Sequence, residues 1–339
     1  MITGIIIAAA LVGGVGLFIG LFLGVAGKKF AVEVDEREIQ VREELPGNMA
    51  CVISPDRADH GMILFTPDGR VEKMHLDVVI PVLHGLWGED GTVQGLLELA
   101  GIAYVGCGVL ASSVCMDKAV ANALFEANGV PHTKWVAANR WEIEKDLEGV
   151  CAGVEQKLGW PVFVKPANAG SSVGISKVSN QEELKAAIAL ALENDRKVVF
   201  EAFVDGQEVE CAVIGSDPAV ATRPGEILAG AEFYTYDDKY KNGVSQTVIP
   251  AHLPEAKLDE VKTYAAMAYT ALNCEGLARC DFFVEKNTGR VLINEINTFP
   301  GFTAISMYPK LMEHEGLPVP QLIDRLIALA VERTEKQHG

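Results

Sequence analysis

Basic residues are scarce in this chain of 339 residues, which has 29 Lys and Arg against 46 Asp and Glu and a formal net charge of −17. A nucleic-acid binder needs clustered Lys and Arg to hold the phosphate backbone, so the composition argues against nucleic acid as a partner. The hydrophobic fraction of 49% and the charged fraction of 22% are those of a globular protein. The length is sufficient for two or three domains, each with a real core.

Paired cysteines are also missing. The seven cysteines form no CxxC motif, and their number is odd. These facts exclude a disulfide scaffold, a zinc ribbon and a four-cysteine iron–sulfur site, and they are typical of a reducing compartment. The chain contains no internal repeat of about 20 to 50 residues, which argues against a solenoid.

Charged side chains are absent from residues 1–27, and Lys28 and Lys29 follow directly. As a helix rising about 1.5 Å per residue, this segment would be long enough to cross a hydrocarbon core of about 30 Å. A cleaved signal peptide is the alternative, but it would carry positive charge before the apolar run. The sequence therefore predicts one transmembrane helix, with the N-terminus outside and the rest on the cytoplasmic side of the inner membrane.

The remainder predicts a charged linker followed by an α/β architecture. Residues 28–48 are mostly charged and end in a Pro-Gly pair, which is typical of a linker. Beyond it, apolar runs alternate with amphipathic stretches. We predict a buried strand in LDVVIPVLHG (76–85), a helix over 93–99, a second helix over Asp117–Asn128 and a strand in PVFVK (161–165).

A loop of small residues, PANAGSSVG (166–174), follows the strand that ends in Lys165. Gly and Ser allow backbone N–H groups to close on a phosphate, and a lysine at the strand end adds a fixed positive charge. The Walker pattern GxxxxGK[ST] is absent, and an ordinary turn is the alternative for such a loop in isolation.

Polar side chains interrupt two apolar stretches near the C-terminus. Asp281 lies in CDFFV, and Glu295 and Asn297 project from one face of a second strand in LINEINTFPG. Oxygen ligands from neighbouring strands suit Mg²⁺ that also holds substrate phosphates. Because a buried charge is costly unless it is paired or metal-bound, these three residues are predicted metal ligands, with Arg279 beside them.

Six motifs in a fixed order resemble those of the D-alanine–D-alanine ligases of the ATP-grasp fold, from about Cys51 onward. They are LHGLWGEDGTVQGLLELAG, MDKAV, VKPANAGSSVGISKV, YDDKYKNG, LARCDFFV and INEINTFPGFTAISMYP. The resemblance implies an α/β (α+β) ATP-grasp fold behind the transmembrane helix. Its parts would be a truncated N-terminal parallel-sheet domain over 49–115, a central ATP-grasp subdomain over 116–205 and a C-terminal subdomain over 206–339.

The resemblance also implies roles for single residues, in a site where ATP lies between two α+β subdomains. ATP would be bound by Lys118, Lys165, Glu201, Phe203 and Glu208. Two Mg²⁺ or Mn²⁺ ions would be held by Asp281, Glu295 and Asn297. The residues implied in catalysis are Arg279, Ser171, Tyr240 and the N–H of Gly301. Those implied in binding D-alanine are His84, Lys239, Ser306 and Met307.

The implied reaction begins when ATP phosphorylates one D-alanine carboxylate. The amine of a second D-alanine then attacks the acyl phosphate, which yields D-alanyl-D-alanine for peptidoglycan. The polar segment 234–245 has the composition of a lid that would exclude water, with an ordinary surface loop as the alternative. D-alanine is expected over D-lactate as second substrate, since Tyr240 matches a tyrosine of dipeptide-forming members. The resemblance leaves a homodimer open.

One departure from the family leaves two functions open. The family's first strand and its glutamate-bearing, glycine-rich loop have no counterpart in the sequence. Residues 1–48 instead resemble the N-terminal anchor of the B subunit of Rnf-type electron transport complexes, whose cysteine-rich domain does not follow. The chain is therefore expected to be either a membrane-tethered D-alanine–D-alanine ligase, or a tethered ATP- and Mg²⁺-binding module with impaired or no ligase activity.

Overall fold

A computed structural model describes residues 4–10, 20–25, 50–170, 173–228, 246–303 and 305–338. Within these ranges the strands are β1 Gly4–Ala10, β2 Gly20–Val25, β3 Ala50–Ile53, β4 Gly61–Phe65, β5 Val71–His75, β6 Val78–Leu83, β7 Ala103–Tyr104, β8 Trp135–Asn139, β9 Val162–Pro166, β10 Ser176–Val178, β11 Lys197–Ala202, β12 Gly206–Ile214, β13 Val220–Ala221, β14 Gly225–Leu228, β15 Gln246–Val248, β16 Leu277–Glu285 and β17 Val291–Asn297. The helices are α1 Thr92–Ala100, α2 Val109–Met116, α3 Lys118–Ala127, α4 Arg140–Lys145, α5 Leu147–Leu158, α6 Gln181–Asn194, α7 Glu255–Ala271, α8 Met307–His314 and α9 Val319–His338.

The strand and helix predictions between residues 76 and 166 are confirmed. The apolar run from residue 76 contains the buried strand β6, and PVFVK forms β9 within one residue at each end. The predicted helices are α1 and α3. Asp117 caps α3, because its carboxylate accepts the N–H groups of Ala119 and Val120.

The N-terminal sheet has the strand order β2-β1-β6-β7. β1, β6 and β7 run parallel, and β2 pairs antiparallel with β1. Ile5 pairs with Val78 at one end of the β1–β6 ladder, and Ala10 pairs with Leu83 at the other. β6 is almost continuously buried, as expected for a parallel strand with neighbours on both edges.

The prediction of a transmembrane helix over residues 1–27 is wrong where the structure describes this segment, because β1 and β2 are strands. A charge-free run has the composition of a buried parallel strand as well as that of a membrane helix, so hydropathy and length did not distinguish them. Three consecutive β-branched isoleucines in β1 favour a strand. Among the described residues, no helix combines the length and the apolarity needed to cross a bilayer.

The expected truncation of the N-terminal sheet is corrected by the same strand. β1 supplies a parallel neighbour for β6, where the sequence analysis expected the first strand to be missing. The linker predicted over residues 28–48 lies outside the described residues. The division into domains at residues 115 and 205 stays a prediction.

The three other sheets are antiparallel. β3, β4 and β5 form a meander. The other two are the second sheet, with the strand order β10-β9-β11-β8, and the third sheet, with the strand order β15-β14-β12-β16-β17 and with β13 beside β12. Apolar side chains of α5 and α6 cover the second sheet in one core cluster. Side chains of α7 cover the third sheet in another.

A shared core joins the N-terminal sheet to the C-terminal part of the chain. Val78 and Ile80 of β6 lie in one buried cluster with Leu277 of β16, Phe299 and Tyr308. This packing brings the end of β6, where His84 follows, close to the end of β17. Polar residues that are more than 200 positions apart in the chain therefore meet at one place.

Replacing Ile6 by proline tests the position of β1. Ile6 pairs with Val79 on β6 and with Leu23 on β2, so proline would lack an N–H in a strand that has neighbours on both edges. Each lost ladder hydrogen bond is worth about 1 kcal/mol, and the ring adds steric cost. We expect a lower midpoint of thermal unfolding for Ile6→Pro, while Ile6→Val stays near wild type. An unchanged midpoint for the proline variant would contradict the β1–β6 pairing.

Candidate active site

The polar side chains predicted as metal ligands share one face of the third sheet. Asp281 on β16 pairs with Glu295 on β17 and with Glu210 on β12. Arg279, two residues before Asp281, pairs with Asn297. Directly paired residues point to the same face of a sheet, so the register gathers these five side chains.

Arg279 and Asp281 form the closest charge pair on this face. The Arg279 Nε and Nη2 groups donate to the two Asp281 carboxylate oxygens, both at 2.7 Å. Glu210 Oε2 lies 3.1 Å from the same Nε, and the Asn297 amide donates to Asp281 Oδ2 at 2.9 Å. Burial would lower the pKa of Arg279, but Asp281, Glu210 and Glu295 outweigh it and raise that pKa well above its usual value. The guanidinium therefore stays charged.

Among the described residues, carboxylates outnumber guanidinium groups on this face. Glu210, Asp281 and Glu295 face the single guanidinium of Arg279, and Glu208 precedes Glu210 by two positions on the same side of β12. Carboxylate and amide oxygens with excess negative charge are the donor set that a hard divalent cation requires. Within the described residues no three His, Cys, Asp or Glu side chains already converge as a metal site, so Asn297 would have to complete the predicted set with Asp281 and Glu295.

A bulge in the β16–β17 ladder turns one residue toward the second sheet. The pairing passes from Asp281↔Glu295 to Phe282↔Ile293, which leaves Asn294 unmatched. The Lys165 ammonium, at the end of β9, lies 3.5 Å from Asn294 Oδ1. The bulge therefore joins the phosphate-loop strand to the acidic face.

Lys165 is held as a buried cation. Its ammonium donates to Glu201 Oε2 at 2.6 Å, and the Asn122 amide donates to the other Glu201 oxygen at 3.0 Å. Burial would lower the pKa of Lys165, but Glu201, with Glu295 and Glu208 further away, outweighs it and raises that pKa. Each Glu201 oxygen thus accepts one hydrogen bond, and the carboxylate fixes both the Lys165 ammonium and the Asn122 amide.

The start of the small-residue loop is fixed by the N-terminus of α3. The Lys118 N–H donates to the Ala167 carbonyl at 3.0 Å, and the Lys118 ammonium donates to the Ala169 carbonyl at 2.9 Å. A Cβ on Gly170 would lie 3.1 Å from Gly85 Cα, so the loop touches the turn after β6. A positive charge and exposed backbone thus border the acidic face, as a phosphate site requires.

The turn after β6 is tied to the segment after β17 by two hydrogen bonds. His84 Nδ1 lies 3.1 Å from the Phe299 carbonyl, and the Phe299 N–H donates to Glu89 Oε1 at 3.3 Å. A carbonyl only accepts, so His84 carries its proton on Nδ1. Burial is the main reason why the pKa of His84 is lowered, and the neutral ring leaves Nε2 as an acceptor.

Glu89 is a site residue that the sequence analysis missed. The Gly85 N–H donates to Glu89 Oε2 at 2.7 Å, so the carboxylate joins Gly85, in the turn after β6, to Phe299, in the segment after β17. Burial raises the pKa of Glu89 to about 7, with Glu295 adding to the rise and the two N–H donors and Arg279 opposing it. Its signal was present in the motif GEDG, where a carboxylate follows a buried strand and a glycine turn.

Glu210, Asn122 and Asn294 were also missed. Glu210 had the signal that identified Asp281, a charge inside the apolar strand EVECAVI. Asn122 and Asn294 had no such signal in the sequence. Asn122, on α3, contacts Glu201 of the distant strand β11, and the contact of Asn294 depends on a bulge that a single sequence does not reveal.

Other predicted residues lie at the border of this group. A Cβ on Gly301 would lie 2.8 Å from Ser306 Oγ, which also accepts the Thr303 N–H at 3.0 Å. Met307 is buried in the shared core, so only its backbone could meet a substrate.

The exposed Phe203 lies near Phe163, with the Lys177 ammonium 3.8 Å from its ring centroid. Ser171, Lys239, Tyr240 and the lid segment 234–245 lie outside the described residues.

Two family models match the chain. The model described as "D-ala D-ala ligase N-terminus" matches residues 25–107, and the model "D-ala D-ala ligase C-terminus" matches residues 124–328. The first match begins 26 residues before Cys51, where the resemblance was expected to start. The similarity therefore includes the segment predicted as a linker, and a junction near residue 48 is corrected.

Similar proteins carry the same description. The D-alanine–D-alanine ligase of Acetivibrio thermocellus is 57% identical over 258 residues, which are 76% of this chain and 69% of the relative. That of Caldicellulosiruptor bescii is 49% identical over 292 residues, 86% of this chain and 79% of the relative.

Solved structures agree with the fold. The Coxiella burnetii D-alanine-D-alanine ligase has a TM-score of 0.70 at 38% identity, covering 79% of this chain and 71% of its own. The Enterococcus faecalis VanG D-Ala:D-Ser ligase has a TM-score of 0.74 at 39% identity, and the match covers 83% of this chain and 79% of that ligase.

The buried carboxyl of Glu89 predicts a pH dependence of stability. With a pKa of about 7 in the folded chain against an ordinary 4.5, Glu89 binds a proton on folding between these values. Its contribution is therefore most favourable below about pH 4.5 and is lost as the pH rises through 7, by up to roughly 3 kcal/mol. We expect Glu89→Gln to lose less stability than wild type between pH 5 and pH 8 in thermal melts. The exposed Glu313→Gln serves as control, and parallel curves for Glu89→Gln and wild type would contradict the prediction.

Proposed function

Because the chain belongs to the D-alanine–D-alanine ligase family, we propose that it joins two D-alanine molecules into D-alanyl-D-alanine and converts ATP to ADP and phosphate. It is an ADP-forming ligase with an ATP-grasp-like fold, and its product is a precursor of peptidoglycan. One observation carries the proposal most directly. The acidic face around Arg279 lies beside the buried cation Lys165 and the His84 turn, so phosphate-binding and amino-acid-binding groups share one site.

The nucleotide would be bound at the border between the second and third sheets. Lys165 and Lys118 would contact phosphates, which the loop backbone at 166–170 supports. Glu208 would reach the ribose hydroxyls, Phe203 would contact the base, and Glu201 would offer its backbone while its carboxylate fixes Lys165. Lys177 covers one face of Phe203, so a base that stacked there would have to displace it.

A divalent cation would be held by Asp281, Glu295 and Asn297. We propose Mg²⁺ or Mn²⁺, and two ions, because one divalent ion and the Arg279 guanidinium only balance the three carboxylates, and bound ATP phosphates would add further negative charge. When bound, the metal would offset the charge of the transferred phosphoryl group. Asp281 also binds Arg279, so this carboxylate links the cation site to the site of the second substrate.

In the first step, a carboxylate of D-alanine attacks the terminal phosphate of ATP. Lys165 and Lys118 would neutralise and orient the phosphates, which is the main task of a protein in phosphoryl transfer. Nε2 of neutral His84 would accept a hydrogen bond from the ammonium of this first D-alanine. Ser171, Lys239 and Tyr240 would close the site and exclude water from the acyl phosphate.

In the second step, the amine of another D-alanine attacks the acyl phosphate and phosphate leaves. Arg279 and the Gly301 N–H would stabilise the oxyanion of the tetrahedral intermediate, where one donor is worth about 3 kcal/mol. Ser306, which shares the turn with Gly301, would bind the carboxylate of the second D-alanine, together with the backbone N–H of Met307. A side chain at residue 301 would displace the Ser306 hydroxyl.

The alternative, an ATP- and Mg²⁺-binding module with impaired ligation, rests on one feature of the sequence. Residues 11–19, which follow β1, contain no Asp or Glu, whereas the family has a substrate-binding glutamate after its first strand. A charge-assisted bond to the substrate ammonium contributes about 1.5 to 3 kcal/mol, so its loss would weaken the first D-alanine about 10- to 150-fold. We propose a working ligase with weak affinity for its first substrate, acting in the reducing cytoplasm as a homodimer.

Product analysis tests the proposed function. Purified chain with ATP, Mg²⁺ and D-alanine should release one phosphate for each D-alanyl-D-alanine formed. With D-lactate or D-serine added as a competing second substrate, D-alanyl-D-alanine should still predominate at neutral pH. A dominant mixed product would contradict the substrate, and the absence of any phosphate release would contradict the ligase.

Replacing Glu295 by Gln tests the cation site with the least structural damage. Asp281 also holds Arg279, whereas Glu295 can change without breaking that pair. Since a bound metal contributes several kcal/mol to phosphoryl transfer, Mg²⁺-dependent ATP turnover should fall at least about 100-fold. Glu285→Gln, at the far end of β16 where a half-buried carboxylate pairs with Arg290, is the control. A folded Glu295→Gln variant with wild-type Mg²⁺ dependence would remove Glu295 from the ligand set.

A further inference from the structure

Glu210 is a buried carboxylate to which the reaction described above gives no role. It lies in the middle of β12, is 4% exposed and pairs across the ladder with Asp281. Its Oε2 atom lies 3.1 Å from Arg279 Nε, the nitrogen that donates to Asp281 at 2.7 Å. Asp281 thus accepts the hydrogen of this nitrogen, and Glu210 forms an ion pair with the same guanidinium.

A carboxylate in such a position needs a compensating function. Taking a charge out of water costs several kcal/mol, and the like charge of Asp281 lies across the ladder. An apolar residue would fill this strand position at lower cost, as Val209 and Cys211 do on the other face. Stability alone therefore gives no reason for a glutamate here.

The reason follows from the two tasks of Asp281. In the proposed function, Asp281 binds the cation and also holds Arg279 through two hydrogen bonds. A bound cation would draw the Asp281 oxygens toward itself, so its two bonds to Arg279 would weaken with the metal and ATP in place. That is the state in which Arg279 has to face the second substrate.

We propose that Glu210 is a positioning residue that holds the Arg279 guanidinium at the second-substrate site when Asp281 turns to the metal. This inference rests on the proposed function. Glu210 contacts neither substrate nor metal and acts through Arg279. Glu208 and Glu295 do not substitute for it, because Glu208 lies one pleat further along β12, beside Phe283, and Glu295 is itself a proposed ligand.

Two variants separate charge from size at this position. Glu210→Gln keeps the shape without the charge, and Glu210→Asp keeps the charge with a shorter reach. The control is Glu226→Gln. Glu226 on β14 is 3% exposed and pairs with Val209, so it is an equally buried carboxylate on the opposite face of the same sheet.

Initial-rate kinetics over a range of D-alanine and ATP concentrations is the first readout. We expect kcat/KM for the second D-alanine to fall about 10- to 100-fold in Glu210→Gln, the effect of losing an ion pair with a buried guanidinium, while KM for ATP stays near wild type. Glu210→Asp should recover part of the loss, and Glu226→Gln should show none. Wild-type kinetics in Glu210→Gln, equal losses in the Gln and Asp variants, or the same loss in Glu226→Gln would each overturn the proposal.

Thermal unfolding with and without Mg²⁺ is the second readout, and it does not depend on activity. A positioning role predicts that Glu210→Gln keeps the Mg²⁺-induced rise of the unfolding midpoint, since Glu210 is not a ligand. If the rise disappears in this variant but persists in Glu226→Gln, Glu210 binds the metal and the positioning role is wrong. Failure of the proposed function remains distinguishable, because the wild type would then form no dipeptide in the same assay.

Discussion

The hydrogen-bonded pair of Arg279 and Asp281 is the interaction around which the site is organised. Among the described residues, the guanidinium of Arg279 shares one face of the third sheet with the carboxylates of Glu210, Asp281 and Glu295. Buried charges persist only where partners compensate them, so the excess of carboxylates constrains everything that this face can bind. A divalent cation bound together with an anionic nucleotide would satisfy this constraint, because the metal would offset the charge of the carboxylates and of the phosphates.

The surrounding loops are held at this face by backbone contacts between distant segments. Glu89 accepts N–H groups from Gly85 and Phe299, and His84 donates back to the Phe299 carbonyl. Lys118, at the start of α3, holds the small-residue loop by donating its backbone N–H and its ammonium to two loop carbonyls. Groups that must act on two amino acids and a nucleotide are therefore fixed relative to one another by the cores beneath them, chiefly the one that joins β6 to β16.

Hydropathy alone did not distinguish a strand from a membrane helix in the N-terminal segment. β1 and β2 contain no charge, which is a property of membrane helices and of strands buried between helices alike. A buried strand differs from a membrane helix in that it pairs with another strand of the protein. β1 pairs with β6, some 70 residues later in the chain. No local pattern in residues 1–27 contains that information.

Local patterns in the sequence determined the elements and the chemistry of this protein. The spacing of apolar residues, the helix caps and the glycines located β6, β9, α1 and α3. Polar residues inside apolar strands predicted Asp281, Glu295 and Asn297 as metal ligands. The tertiary structure alone decided that β1 pairs with β6, that the bulge between β16 and β17 turns Asn294 toward Lys165, and which partners Glu89 and Glu210 contact. The physical reason is that strand pairing, bulge position and the burial that shifts a pKa are properties of contacts between distant segments, whereas residue type and spacing specify only what each segment can do by itself.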